Sequence, residues 1–316
     1  MKSTNLVENF MTPGLRNALS TLGSIIIKCG YADLYPIYGS LHSEGPRPLV
    51  TIGKQVQDFP EPLRSFVQLF LLGLSCPTVT IESCFNSQEE FFELIRARIF
   101  IVNDDDTVSS PLVLLIFMGY LVFFERRTVG KDIQCYMGDD SLALASHLMP
   151  PLQGQCLDLC TGSGIQALLS SSRARRVIGV DLQDRAVEIA TMNCELNGCG
   201  EHVEFRKGNL FLAIEDEQFD FICANPPLLP GAENLRNPIV ADGGHDGLEI
   251  IRTIIQGLPS HLNIGGRSQV IGTALGDGKG PYCIDEFAKL SKTMYENGEF
   301  TQIIHEFKLN YPEYYR

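Results

Sequence analysis

The 316-residue sequence has no long hydrophobic run, no Cys-x-x-Cys pair and no cluster of basic residues, and each absence removes a class of function. Its longest apolar stretch, Leu112–Phe124, is thirteen residues. That is short of the ~20 needed to cross a bilayer as a helix, so no membrane partner is expected. The β-branched and aromatic content of the stretch reads as buried strand. The opening MKSTNLVENFMTPG lacks a basic stretch followed by an apolar core and does not read as a signal peptide. The ten cysteines are scattered singly, which leaves a zinc site without support; no metal is expected. Several sit inside apolar strand patterns, where a thiol acts as a small hydrophobe, and the expected compartment is a reducing cytoplasm. The formal charge is −13, from 25 Lys+Arg against 38 Asp+Glu. Residues 1–130 hold 10 basic and 13 acidic residues (net −3), and residues 131–316 hold 15 and 25 (net −10). Gripping a phosphate backbone needs clustered Lys and Arg, so nucleic acid is disfavoured as a partner. A cationic or neutral ligand suits the acidic half better.

What is present is globular material, 44% hydrophobic and 20% charged, with enough apolar residues for a core. At ~150 residues per domain the length fits about two domains. The rhythm changes near residue 130. Before it, Leu6–Lys28 carries helix-spaced apolar residues interrupted at Pro13-Gly14. Pro62–Leu74 reads as a helix opening on proline. Ser87–Arg98 opens with Ser and has Glu90 three residues on, a capping-box signature. Phe100–Asn103 and Leu112–Glu125 flank the turn-rich DDDTVSSP and read as two strands. Helix, helix, hairpin is the order of a winged helix. Ser87–Arg98 is not a basic surface, so residues 1–130 read as a substrate-specificity or lid domain.

Residues 131–316 alternate strand and helix. Strands are expected at Gln155–Cys160, Arg176–Leu182, Val203–Gly208, Phe219–Ala224, Ser268–Leu275 and Phe300–Leu309. Helices are expected at Ile165–Ser171, Arg185–Asn197, Leu248–His261 and Asp285–Glu296. This alternation predicts an α/β fold, a mostly parallel sheet covered on both faces, with ligands at the carboxyl ends of the strands.

Four constellations fall at those ends. Asp158-Leu-Cys-Thr161-Gly162-Ser163-Gly164-Ile-Gln166-Ala167 leaves one strand and opens a helix. Its glycines permit a tight turn and close approach of a ligand. Taken alone, Gly162-x-Gly164-x-x-Ala167 also fits a dinucleotide fingerprint. Asp158 tells against that: a carboxylate repels a pyrophosphate but suits a cationic amino-acid moiety. Asp181 ends the next strand, where a carboxylate can accept both hydroxyls of an adenosine ribose or simply cap a helix. Gly208-Asn209-Leu210 follows the third strand, where an Asn can bond an adenine amine or form a plain turn. Asn225-Pro226-Pro227-Leu228 follows the fourth. Two prolines remove two backbone donors and leave free carbonyls, and Asn225 adds an amide that donates and accepts. Such a corner can hold a planar N–H2 group by two hydrogen bonds.

With these motifs in order, the chain resembles the class I S-adenosylmethionine methyltransferases. More narrowly it is similar to the small-domain group that includes HemK-type glutamine N-methyltransferases and ribosomal RNA guanine-N2 methyltransferases. The likeness spans about Tyr136 to Ala274 and is carried by CLDLCTGSGIQAL, VIGVDLQDRAVEIATMNCELNG, KGNLF, FDFICANPPLLP and DGGHDGLEIIRTII. It implies a Rossmann-like methyltransferase sheet, with S-adenosylmethionine held by Asp158, Thr161, Gly162, Ser163, Gly164, Gln166, Asp181, Leu182, Asn209, Leu210 and Asn225. Asn225 and Pro226 would be the catalytic pair. Tyr136, Asp140 and Ser141, in the segment that closes over the methionine end in related enzymes, join Pro227, Leu228, Asp242 and His245 as substrate residues. Leu228 stands where family N-methyltransferases usually carry an aromatic residue. One strand, Phe300–Leu309, is evident where the family sheet usually ends in a hairpin.

The expected reaction is methyl transfer from a sulfonium to a nitrogen lone pair. The acidic catalytic half favours a small-molecule amine, amide or guanidine as acceptor. Protein glutamine or RNA is the alternative, O- or C-methylation stays open, and a nicotinamide oxidoreductase is a remote third reading. Asp140, Asp242, His245, Asp246 and Glu249 are the candidate bases. Nothing in the sequence fixes an oligomeric state.

Overall fold

A computed structural model describes residues 10–34, 47–127, 132–231, 238–274, 276 and 280–294. Two compact units divide the chain, Met1–Thr273 and Ala274–Arg316.

The first unit is built on five parallel strands: β1 (Gln155–Leu159), β2 (Arg176–Asp181), β3 (Val203–Lys207), β4 (Phe219–Ala224) and β5 (Leu262–Val270), in the spatial order β5-β4-β1-β2-β3. Near-continuous apolar runs such as Val177–Val180 and Phe221–Ala224 are buried along their length, as strands covered on both faces must be. Helices α1 (Ile165–Ser171), α2 (Asp184–Leu196) and α3 (Glu249–His261) supply the crossovers. From β1 the chain steps outward to β2 and β3, then returns to place β4 on the other side of β1. The order reverses between β1 and β4, and a crevice opens beyond their carboxyl ends. The glycine turn leaves one of these strands and the Asn-Pro-Pro corner leaves the other.

The described residues before 130 form helices and two small antiparallel sheets. Thr12 caps the helix Pro13–Lys28, its hydroxyl accepting from the Leu15 N–H at 3.0 Å. Ser87 Oγ accepts from the Glu90 N–H at 3.3 Å, while the Glu90 carboxylate reaches back to the Asn86 N–H at 3.0 Å. Cys76–Pro77, Thr107–Ser109 and Ile101–Val102 make a three-stranded sheet.

Some elements depart from the sequence expectation. Leu112–Glu125 is not one strand paired with Phe100–Asn103. It folds on itself as a hairpin, Leu112–Phe117 against Tyr120–Glu125, through Met118-Gly119 with φ of 50° and 88°. That turn has the left-handed central residues that match the twist of antiparallel strands. Pro62–Leu74 is an α-turn, Leu63–Phe66, followed by a wider π-turn, Val67–Leu72. The Arg126 guanidinium donates to the carbonyls of Leu69, Phe70 and Leu71 and so satisfies the end of that segment. The strand expected at Ser268–Leu275 starts earlier and ends at Val270. Phe300–Leu309 lies outside the described residues.

One buried apolar cluster runs from Met11 through the hairpin to Phe221 and Cys223, so the helical region and the sheet share a core. Polar groups add to the join. Asn193 on α2 donates to and accepts from the Phe123 backbone at 2.8 Å, and Asn197 does the same with Leu121 at 2.7 and 2.8 Å. Two carboxamides one turn apart thus pair with the hairpin edge as a neighbouring strand would. In the second unit, Ile284–Met294 is helical and Gly276 bridges Pro281. Among the described residues no helix is long and apolar enough to cross a membrane.

Candidate active site

The crevice at the strand-order reversal is a cavity of about 590 Å³, within the usual range for a small-ligand site. Its walls bring together Thr161, Gly162, Ser163 and Gln166 of the glycine turn with Asp181, Leu182, Asn209 and Leu210. Tyr136, Asp140 and Ser141 join them, as do Asn225, Pro226, Pro227, Leu228 and Asp242. Asp158, Gly164 and His245 do not line it.

The glycine turn is held open by its backbone. Gly162 and Gly164 take φ of 53° and 79°, and Cys160 shares the left-handed region at 55°. A Cβ on Gly164 would lie 3.0 Å from the Ala190 Cβ, so the turn needs glycine for space as well as for φ. Asp158 sits beneath the turn at 1% exposure. It accepts from Thr161 Oγ1 at 2.6 Å and from the Ala167 N–H at 3.2 Å. Burial pushes its carboxyl up to about 7, against these bonds, which favour the charged form. Asp158 therefore shapes the turn from below; the sequence expectation had it facing the cofactor's amino group.

Asp181 ends β2 and accepts from the Gly162 and Gln183 N–H groups, both at 2.9 Å. Burial raises its carboxyl, with those N–H bonds opposing. Each oxygen keeps lone-pair capacity toward the cavity, suited to a pair of hydroxyls. Asn209 is exposed at the rim, and its carboxamide makes no hydrogen bond among the described residues.

The Asn-Pro-Pro corner is tied to the Tyr136–Ser141 segment. Asn225 Nδ2 donates to Ser141 Oγ at 2.9 Å, and Gln166 Nε2 donates to the Ser141 carbonyl at 3.1 Å. One serine therefore fixes a residue from each side of the crevice. Asn225 Oδ1 is buried and, among the described residues, has no hydrogen-bond partner. A buried acceptor left unmade costs about 1–3 kcal/mol, so its persistence at a cavity wall marks a place for a donor from outside the chain.

The loop Asp242–Leu248 braces this corner. Leu229 N–H donates to the Ala241 carbonyl at 2.8 Å and Gly243 N–H to the Leu229 carbonyl at 2.9 Å. Asp246 is engaged with Arg252 at 2.7 Å, which holds it down at about 2. His245 is exposed, away from the cavity. Neither lines the cavity. Sequence reasoning missed Arg127, Ile133, Gln134, Cys160, Gln183 and Ile239, all of which line the cavity. Cys160 and Gln183 lie inside the quoted motifs without a role assigned to them, and Arg127, Ile133, Gln134 and Ile239 belong to no local motif, so only the fold brings them here.

The sequence profile of the methyltransferase small domain matches residues 137–301. The chain is 31% identical to a ribosomal protein uL3 glutamine methyltransferase of Bradyrhizobium diazoefficiens, over 56% of this chain and 60% of that protein. It is 34% identical to a release factor glutamine methyltransferase of Gloeobacter violaceus, over 43% of this chain and 50% of that one. The matched stretch thus spans a half to three-fifths of the length of these two relatives. A solved ribosomal protein L11 methylase from Lactobacillus delbrueckii superposes over 49% of this chain and 66% of its own, with a TM-score of 0.34 and 24% identity.

Proposed function

The chain belongs to the methyltransferase small-domain family, among the class I enzymes that use S-adenosylmethionine, and from that premise we propose that it methylates the side-chain amide nitrogen of a glutamine in a protein. The observation that carries this reading is the Oδ1 of Asn225, buried and without a hydrogen-bond partner among the described residues, in a residue that lines the cavity together with Pro226. Two acceptors at one corner match the two hydrogens of a primary amide. By their names, both relatives above act on protein glutamine. The acceptor proposed is therefore protein glutamine, in place of the small molecule that the charge distribution favoured.

S-adenosylmethionine supplies a methyl group on a positively charged sulfur, already activated toward attack. The chain's own residues mainly position the reactants and exclude water. Asp181 takes the ribose hydroxyls, Asn209 the adenine edge, and Gly162 and Ser163 the amino-acid end. Asn225 Oδ1 and the Pro226 carbonyl accept the amide hydrogens, turn the nitrogen lone pair out of conjugation and stabilise the positive charge that builds on nitrogen, until one of those hydrogens is released to solvent as a proton when the products leave. Ser141 anchors the other end of the Asn225 carboxamide. The region 1–130 serves as the acceptor-recognition part of the protein.

The test is labelling of a cell extract with methyl-labelled cofactor, followed by peptide mass spectrometry. The reading requires label in protein at a glutamine side chain. Label confined to small molecules, or removed by ribonuclease, overturns it.

A further inference from the structure

Among the described residues, four charged side chains line the cavity: Arg127, Asp140, Asp181 and Asp242. Asp181 is bonded to the Gly162 and Gln183 N–H groups, and Asp242 Oδ1 accepts from the Gly244 N–H at 3.1 Å. Arg127 is exposed and has no carboxylate partner among the described residues, in a chain where acids outnumber bases.

Its position is fixed by its neighbours. Arg127 follows the hairpin strand Tyr120–Glu125 by two residues. The Glu125 carboxylate accepts from the Gln134 and Cys135 N–H groups at 2.6 and 2.9 Å, and the Glu125 N–H donates to the Cys135 carbonyl at 3.0 Å. Glu125 therefore holds the segment before Tyr136 alongside the end of the hairpin. The Arg127 guanidinium lies over the Tyr136 ring, 5.9 Å from its centroid, an arrangement that favours a cation. The Tyr136 carbonyl in turn lies 3.3 Å from where a Gly162 Cβ would be, and Ser163 Oγ donates to Met137 Sδ at 3.5 Å. The Tyr136 ring thus carries a guanidinium next to the glycine turn. At its hydroxyl end stands Asp140; burial and that carboxylate push the phenol up to about 12.

A cation and an anion on opposite parts of one aromatic ring, beside the turn that receives the amino-acid end, form a receptor for a zwitterion. We propose that Arg127 binds the α-carboxylate of the cofactor's methionine moiety and that Asp140 binds its α-ammonium. Asp140 takes the role expected of Asp158. This rests on the S-adenosylmethionine reading of the cavity, and it adds a residue that lies before the profile-matched stretch 137–301.

Calorimetry with two ligands tests it. S-adenosylhomocysteine carries the amino-acid group; 5′-methylthioadenosine keeps the adenosine and sulfur but lacks that group. Arg127→Met is expected to weaken S-adenosylhomocysteine about 10- to 100-fold, the loss of a charge-assisted pair, and to change methylthioadenosine by less than about twofold. Arg127→Lys should recover part of the loss, and Asp140→Asn should weaken S-adenosylhomocysteine about tenfold with the same indifference to methylthioadenosine. Equal losses for both ligands would show a merely structural role, and no loss for either would remove both residues from the site; each result overturns the inference. If the unaltered protein binds neither ligand, the cofactor reading itself fails, and the inference falls with it.

Discussion

At the scale of single residues, Asn225 and Asp158 carry opposite duties. Asn225, a cavity-lining residue, keeps a buried acceptor unmet among the described residues, whereas Asp158 has its bonds made inside the fold. Asn225→Ala should lower kcat by about 10²–10³-fold, the usual cost of one preorganised polar contact at a developing charge. S-adenosylhomocysteine affinity should hold, and an unchanged single-turnover rate would remove Asn225 from the chemistry. Asp158, buried and raised to about 7, keeps a proton in the folded protein that an unfolded carboxyl releases near ~4. Its contribution to stability is therefore complete below ~4 and is lost as pH rises through about 7, with a slope of at most about 1.4 kcal/mol per pH unit. Asp158→Asn should flatten that dependence, and parallel Tm curves for the two proteins between about pH 4.5 and 7.5 would contradict the assignment. The cavity residues legible from sequence are those that follow one another along the chain. Gly162, Asp181, Asn209 and Asn225 each follow a strand, and the parallel topology carries strand ends to one edge. Arg127 was invisible because nothing local distinguishes it from a surface arginine.

At the scale of elements, the docking of the hairpin on α2 makes a graded prediction. Asn193 is fully buried and makes three bonds of 2.8 Å, two with Phe123 and one to the Ser163 carbonyl. Removing its carboxamide leaves buried backbone groups unpaired, so Asn193→Ala should cost about 3 kcal/mol in urea unfolding. Asn197, half-buried, should cost about 1 kcal/mol on the same change, since water can replace part of what is lost. Strands β1, β2 and β4 were readable because both faces are buried and their apolar runs are near-continuous, whereas β3, an edge strand that buries only Phe205, showed itself by its place in the strand–helix alternation. The hairpin was not readable: its turn places Met118 at φ 50°, without the Asn-Gly or Asp-Gly that usually announces such a turn. The π-turn at Val67–Leu72 was likewise hidden, because its apolar spacing serves an α-helix equally well, and the Arg126 that satisfies its carbonyls lies some 55 residues downstream.

At the scale of the whole molecule, the shared core and the Asn193 bonds join the N-terminal region to the glycine turn that walls the cofactor crevice. The same carboxamide that holds Phe123 also grips the Ser163 carbonyl inside the glycine turn. Any ligand that favours the present shape of that turn favours the hairpin's seat by the same free energy, because such coupling is reciprocal. Deuterium uptake at the amides of Leu121 and Phe123 is therefore expected to slow when S-adenosylhomocysteine is added, and identical uptake with and without it would show the two ends to be independent. A filled crevice would then announce itself at a distance: the hairpin would stiffen once the methyl donor is aboard and, if the proposed protein acceptor docks against it, the two guests would have an order of arrival.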